Sequence, residues 1–150
     1  MRIYVDTSVI GGCFDEEFSE WSNKLFDDFK NGKNIVVISD TTLEELQNAP
    51  LRVSEVLEKV PNEFKEFIIL NEEALKLAEK YIAENIVSNK FLLDTRHIAL
   101  ATIYKVDVLV SWNFKHIVNY NKIRLYNSVN LKYGYPIIEI RSPREVVNEN

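Results

Sequence analysis

Three carboxylates stand where a short apolar strand gives way to a helix, or where a helix begins. They are Asp6 after Arg2-Ile3-Tyr4-Val5, Glu45 within Ser39-Asp40-Thr41-Thr42-Leu43-Glu44-Glu45-Leu46, and Asp94 in Phe91-Leu92-Leu93-Asp94-Thr95-Arg96-His97. Acids this far apart in sequence can still meet at one end of a sheet. Like charges gathered in a pocket repel one another and take up protons unless a cation neutralises them, so a converging set predicts a divalent ion. Hard oxygen donors favour Mg²⁺ or Mn²⁺ over a thiolate-seeking metal. The chemistry such a site supports is metal-assisted phosphodiester hydrolysis.

Taken singly, each acid has a structural alternative. Asp6 could cap the helix that follows it, and Asp94 is a residue type favoured at helix starts. With Thr41 as cap, Glu44 completes a capping box and Glu45, turned about 100° further round the helix, is left for a site. With Thr42 as cap the two roles exchange. The acids gain weight only in combination, so the elements that carry them must bring them together.

Strand-like and helix-like segments alternate along the 150 residues, the pattern of a mostly parallel sheet covered by helices, and predict a single three-layer α/β/α domain over residues 1–150. Residues 2–5 read as a first strand. Phe18, Trp21, Leu25, Phe26 and Phe29 recur at helical spacing until Gly32 provides a stop. Residues 35–38 form a second strand, Thr41 begins a short helix, residues 53–60 form another ended by Pro61, and residues 67–70 read as a strand. Ala74, Leu75, Ala78, Tyr81, Ile82 and Ile86 trace the apolar face of a longer helix. Asp94 opens the next, through Ile103, and residues 108–110 return as a buried strand with Ser111-Trp112-Asn113 at its carboxyl end. A helix over residues 113–120, an edge strand over 137–140 and a helical turn from Pro143 complete the expectation. In open α/β sheets the functional crevice lies beyond the carboxyl ends of the strands, where Asp6 and Asn113 fall.

Composition bounds the function. The lone Cys13 cannot form an internal disulfide, no apolar run is long enough to span a bilayer, and the chain opens directly into a strand; a cytoplasmic protein with no membrane contact is expected. Net charge is −5, but residues 96–150 carry +4 and the remainder −9. A basic final third beside an acidic site suits a polyanion gripped by its backbone at the rim; ordinary charge asymmetry on a solvated surface explains it equally well. His97, His116 and Cys13 lack the short spacing of a zinc site. Gly11-Gly12 reads as a flexible turn rather than a phosphate loop. Trp112, Phe114 and Tyr120 beside Lys115 could stack bases, although aromatics there more often belong to a core or interface.

The series Ile3-Tyr4-Val5-Asp6-Thr7-Ser8, Ile38-Ser39-Asp40-Thr41-Thr42-Leu43-Glu44-Glu45-Leu46, Leu93-Asp94-Thr95-Arg96-His97-Ile98-Ala99-Leu100-Ala101 and Leu109-Val110-Ser111-Trp112-Asn113 resembles, in order and spacing, the PIN-domain ribonucleases, especially the VapC-type toxins of toxin-antitoxin pairs. The resemblance spans nearly the whole chain. It implies an endoribonuclease dependent on Mg²⁺ or Mn²⁺, a cognate antitoxin and a homodimer. It assigns Asp6, Asp94 and Glu45 to the metal, with Glu45 rather than Glu44 on the family's Leu-x-Glu-Leu pattern. It makes Ser111 the hydroxyl that positions water or a phosphate oxygen, and puts Asn113 on the fourth acidic position of many members. There the chain departs: a carbonyl oxygen could still ligate a metal or orient a water, but it brings no charge.

Two other classes compete. A phosphatase or receiver domain would phosphorylate Asp6, but the former wants a second Asp where this chain has Ser8, and the latter wants paired acids near the first strand. The non-enzymatic alternative is a degenerate PIN module that binds RNA or a protein partner without cutting, a reading that Asn113 keeps open.

Overall fold

A computed structural model describes residues 1–148. Five strands, β1 (Arg2–Val5), β2 (Ile35–Ser39), β3 (Lys65–Ile68), β4 (Val108–Val110) and β5 (Ile140–Arg141), form one sheet in the order β3-β2-β1-β4-β5. Every neighbouring pair is parallel. Parallel strands need crossovers, and the helices between them cover both faces.

Because successive strand side chains point to opposite faces, the apolar residues divide into two cores. Tyr4, Val37 and Leu109 pack on one face against α5 (Glu72–Ala83), α6 (Leu92–Ile103) and α7 (Tyr120–Lys132). Ile3, Val5, Val36, Ile38, Val108 and Val110 pack on the other against α1 (Thr7–Gly11), α2 (Ser19–Lys30), α3 (Asp40–Leu46), α4 (Leu51–Glu58) and α8 (Pro143–Asn148). Within α2, Phe26 and Phe29 meet edge to face at 5.3 Å, a pairing worth about 0.5–1.5 kcal/mol beyond its buried area. Gly32 ends the helix at φ +75, and a Cβ there would strike the Phe64 ring. No helix among the described residues is long and apolar enough to cross a membrane.

Several boundaries differ from the sequence expectation, each for a local reason. The third strand is 65–68 rather than 67–70: β3 is an edge strand paired to β2 from Lys65 to Ile68, and its Glu66 forms an ion pair with Arg2 of β1. Phe67 and Ile69 remain exposed. Residues 113–120 form a turn rather than a helix: Asn113 Oδ1 accepts from the Lys115 and His116 amides at 3.2 and 2.9 Å and closes it. The true helix, α7, follows, started by Asn119 as its cap. The last strand is 140–141 rather than 137–140. The final helix begins at Pro143 as expected. Gly11 and Gly12 have ordinary right-handed helical backbone, not that of a flexible turn; a Cβ on Gly12 would lie 2.6 Å from Ser22 Oγ and 2.7 Å from Trp112 Nε1.

Candidate active site

The strand order reverses direction at β1: β2 and β3 lie to one side, β4 and β5 to the other. The crevice at this switch point opens between the carboxyl ends of β1 and β4, and their next residues are Asp6 and Ser111.

Asp6 caps α1 and is 5% exposed. Both its oxygens are held. Oδ1 accepts from Ser8 Oγ at 2.6 Å and from the Val9 amide at 3.3 Å, while Oδ2 accepts from Ser111 Oγ at 2.5 Å. The two serines are fixed in turn, Ser8 Oγ by the Trp112 amide and Ser111 Oγ by the Asn113 amide, each at 2.9 Å. Capping and site placement, alternatives in the sequence, are therefore one arrangement. Burial raises the Asp6 pKa above the usual carboxylate range, opposed by His97, Ser111, Ser8 and the Val9 amide.

Glu45 is placed by a cap that sequence reading misassigns. Ser39, the last residue of β2, caps α3 by accepting from the Thr42 amide at 3.2 Å, so neither Thr41 nor Thr42 is the cap and no Glu44 capping box forms. Glu44 is exposed. Glu45 turns inward, where its Oε1 lies 2.7 Å from His97 Nε2. Burial, the largest single effect, would raise Glu45, but the His97 hydrogen bond and charge, with help from Thr7, bring it below its usual value and keep it ionised.

His97 is 2% exposed and continues inward: its Nδ1 lies 2.6 Å from the Tyr4 hydroxyl, which is 2.7 Å from Ser39 Oγ. Burial pushes the Tyr4 phenol up, so it stays protonated. The result is a buried relay Ser39–Tyr4–His97–Glu45 that ties the cap of α3 to the acid α3 presents. The partnership of His97 with Glu45 and Tyr4 joins distant segments, and in the sequence only the alternation that points Tyr4 to the α6 face hints at it.

Asp94 lies in the first turn of α6, two residues after the helix begins. It is half-buried and makes no hydrogen bond or ion pair among the described residues. Burial raises its pKa, His97 and His116 oppose this, and the charges of Asp6 and Glu45 each raise it further. Asp94 thus lies within the fields of the other two acids. Among the described residues, no group of three His, Cys, Asp or Glu side chains stands at ligating separation. With Glu45 held by His97, the donors open to direct ligation are Asp6 and Asp94. That set fits Mg²⁺, which is commonly bound by one or two carboxylates and keeps several waters. Burial raises both carboxyls, and a cation beside them would lower them again.

Asn113 occupies the sheet edge but spends its carbonyl oxygen on the two amides of its turn, so the ligand role considered for that atom would have to displace them. Of the aromatic group, Trp112 and Phe114 meet edge to face, and Tyr120 carries the Arg124 guanidinium over its ring.

No protein-family model matches the chain, and no curated protein matches it by sequence. Solved structures do. The crystal structure of Mycobacterium tuberculosis VapC20, a sarcin-ricin loop cleaving toxin, matches at a TM-score of 0.59 and 10% identity over 76% of this chain and 92% of its own. A chain of VapBC2 from Rickettsia felis, bound to a DNA fragment from its promoter, gives 0.56 and 18% over 95% and 98%. DNA-bound VapBC from Salmonella typhimurium gives 0.56 and 17% over the same shares. At these identities the likeness is one of architecture: the chain has the PIN-like α/β fold seen in VapC toxin structures.

Proposed function

We propose that the protein is a ribonuclease dependent on Mg²⁺ or Mn²⁺, acting as the toxin of a toxin-antitoxin pair. What supports this reading is the buried Asp6 at the switch-point crevice, with both its oxygens held by Ser8 and Ser111, and Asp94 near enough to feel the charge of Asp6 and Glu45. A cognate antitoxin as partner is supported by the VapBC complexes that share the fold; a homodimer is what the family resemblance implies.

The roles follow from the hydrogen bonds. Ser8 and Ser111 fix the Asp6 carboxylate so that its remaining lone pairs, with those of Asp94, define where a cation would be held. Such an ion supplies the positive charge that neutralises the acids and polarises the scissile phosphate. Glu45, kept ionised by the hydrogen bond from His97 Nε2 to its Oε1, accepts a hydrogen bond from the attacking water and orients it for in-line attack. Tyr4 holds the imidazole from behind.

The test mixes the protein with structured and unstructured RNAs in the presence of Mg²⁺, Mn²⁺ or EDTA. Cleavage is expected only with metal, and Asp6→Asn and Asp94→Asn are each expected to abolish it. Metal-independent cleavage, or full activity in those variants, rules the mechanism out. The second reading, an RNA- or protein-binding module without catalysis, draws on Asn113, which adds no charge and is engaged by its own turn. It requires RNA binding indifferent to EDTA with no cleavage under any of these conditions.

A further inference from the structure

The segment that supplies Ser111 to the acid crevice continues directly into an aromatic cleft. The Trp112 amide donates to Ser8 at 2.9 Å, and its ring stacks on Phe18 with centroids 4.2 Å apart and planes 16° from parallel. Its Nε1 donates to the buried Ser22 hydroxyl, locking the ring in place. Phe114 stands edge-on to that rigid pair at 6.1 Å and is 50% exposed. Across the cleft, Arg144 places its guanidinium 5.2 Å from the centre of the Trp21 ring and forms no ion pair among the described residues. These side chains line a cleft of about 400 Å³. Two carboxylates share the lining: Glu145 is engaged by Ser142 and Arg141, while Glu17 is exposed.

An open aromatic face beside an unpaired planar cation, three residues from the serine that holds Asp6, matches the chemistry of a nucleotide. A π-surface takes any base, and a guanidinium takes the phosphate that follows it. An apolar side chain from a protein would use the rings but leave Arg144 without an anion, and it would not explain the continuity with the acid crevice. We infer that the cleft is a base-stacking subsite of the RNA track: Phe114 carries the base of a nucleotide flanking the scissile phosphate, and Arg144 meets its phosphate. This rests on the ribonuclease reading and deepens it by placing one splayed base of the substrate on Phe114, outside the acid crevice.

The experiment measures binding, so that it stands apart from catalysis. A fluorescently labelled, short single-stranded RNA of mixed sequence is titrated onto wild type, Phe114→Ala, Phe114→Leu and Arg144→Ala in EDTA, alongside a set of the same RNAs with one tetrahydrofuran spacer walked through the strand. One spacer position and Phe114→Ala should each weaken binding roughly tenfold, the scale of one base–aromatic stack. Combined, they should cost no more than either alone, because both remove the same contact. Phe114→Leu keeps the apolar bulk and should still lose most of the effect, and Arg144→Ala should flatten the salt dependence of binding. Affinity unchanged in Phe114→Ala, or losses that simply add at every spacer position, would overturn the subsite. Binding that follows this pattern without any cleavage would retain the subsite and refute the nuclease reading. Cleavage with no dependence on Phe114 would do the reverse.

Discussion

Removing a single oxygen tests whether the buried relay positions Glu45. In Tyr4→Phe the ring stays, so no cavity opens, but the hydroxyl that bridges Ser39 Oγ at 2.7 Å and His97 Nδ1 at 2.6 Å is lost. Ser39 keeps its bond from the Thr42 amide. His97 Nδ1 does not have a substitute partner, and at 2% exposure its residue is sealed from water. A buried group left unsatisfied costs about 1–3 kcal/mol. At about 2–4 °C per kcal/mol for a chain of this size, the melting temperature should fall by roughly 2–12 °C. Thermal unfolding in EDTA measures that loss without contribution from metal binding. With the imidazole free to rotate, Glu45 loses its anchor, so cleavage should fall through kcat with KM little changed. A melting temperature within about 1 °C of wild type, well below what one unsatisfied buried group costs, would refute the relay. A stability loss with unchanged kcat would make Tyr4 a packing residue and remove its positioning role.

Asp94→Asn should stabilise the metal-free protein at neutral pH, because folded Asp94 titrates above its unfolded value. Between those two values the native state holds more protons than the unfolded chain, so wild-type stability falls as pH rises through the window and levels off above it. The variant's advantage in EDTA should therefore be absent at acid pH and full near neutrality; a gap that widens toward acid contradicts the assignment. Gly12→Ala should lose about 1–3 kcal/mol by overpacking, since its Cβ would wedge between Ser22 and Trp112, and denaturant unfolding reads the change. Asn113→Asp should tighten Mn²⁺ binding in calorimetric titration while leaving the fold intact, since an Asp oxygen can still accept from the Lys115 and His116 amides. Unchanged or weaker binding would place residue 113 outside the cation's field.

Local pattern carried the sheet and its two cores, and contacts between distant segments carried the rest. The apolar runs at 2–5, 35–38 and 108–110 are strands because their side chains are buried on both faces, which is the signature of a central parallel strand. β3 broke that rule as an edge strand, where the stretch at 67–70 looks more strand-like than the 65–68 register that pairing with β2 imposes. α7 was invisible to periodicity because it buries only Tyr126, Val129 and Asn130 of its thirteen residues. In the site, the positions of Asp6, Glu45, Asp94 and Ser111 were legible, since strand ends and helix starts confine them. Ser39 outcompeted Thr41 and Thr42 as cap because the end of β2 delivers it first, which no local rule distinguishes among three hydroxyl candidates within four residues. The 2.7 Å contact between Glu45 and His97 joins residues 52 apart in sequence, and the hydroxyl chain behind it depends on β1 packing against α6.

The shared cation is tested most directly by a crystal grown or soaked with Mn²⁺ and measured for anomalous scattering. A peak within ligating distance of the Asp6 and Asp94 carboxylates, with Glu45 reaching it directly or through water, is the expected result. Well-ordered acids around featureless density, or manganese bound only elsewhere on the surface, would contradict the metal site and with it the proposed hydrolysis.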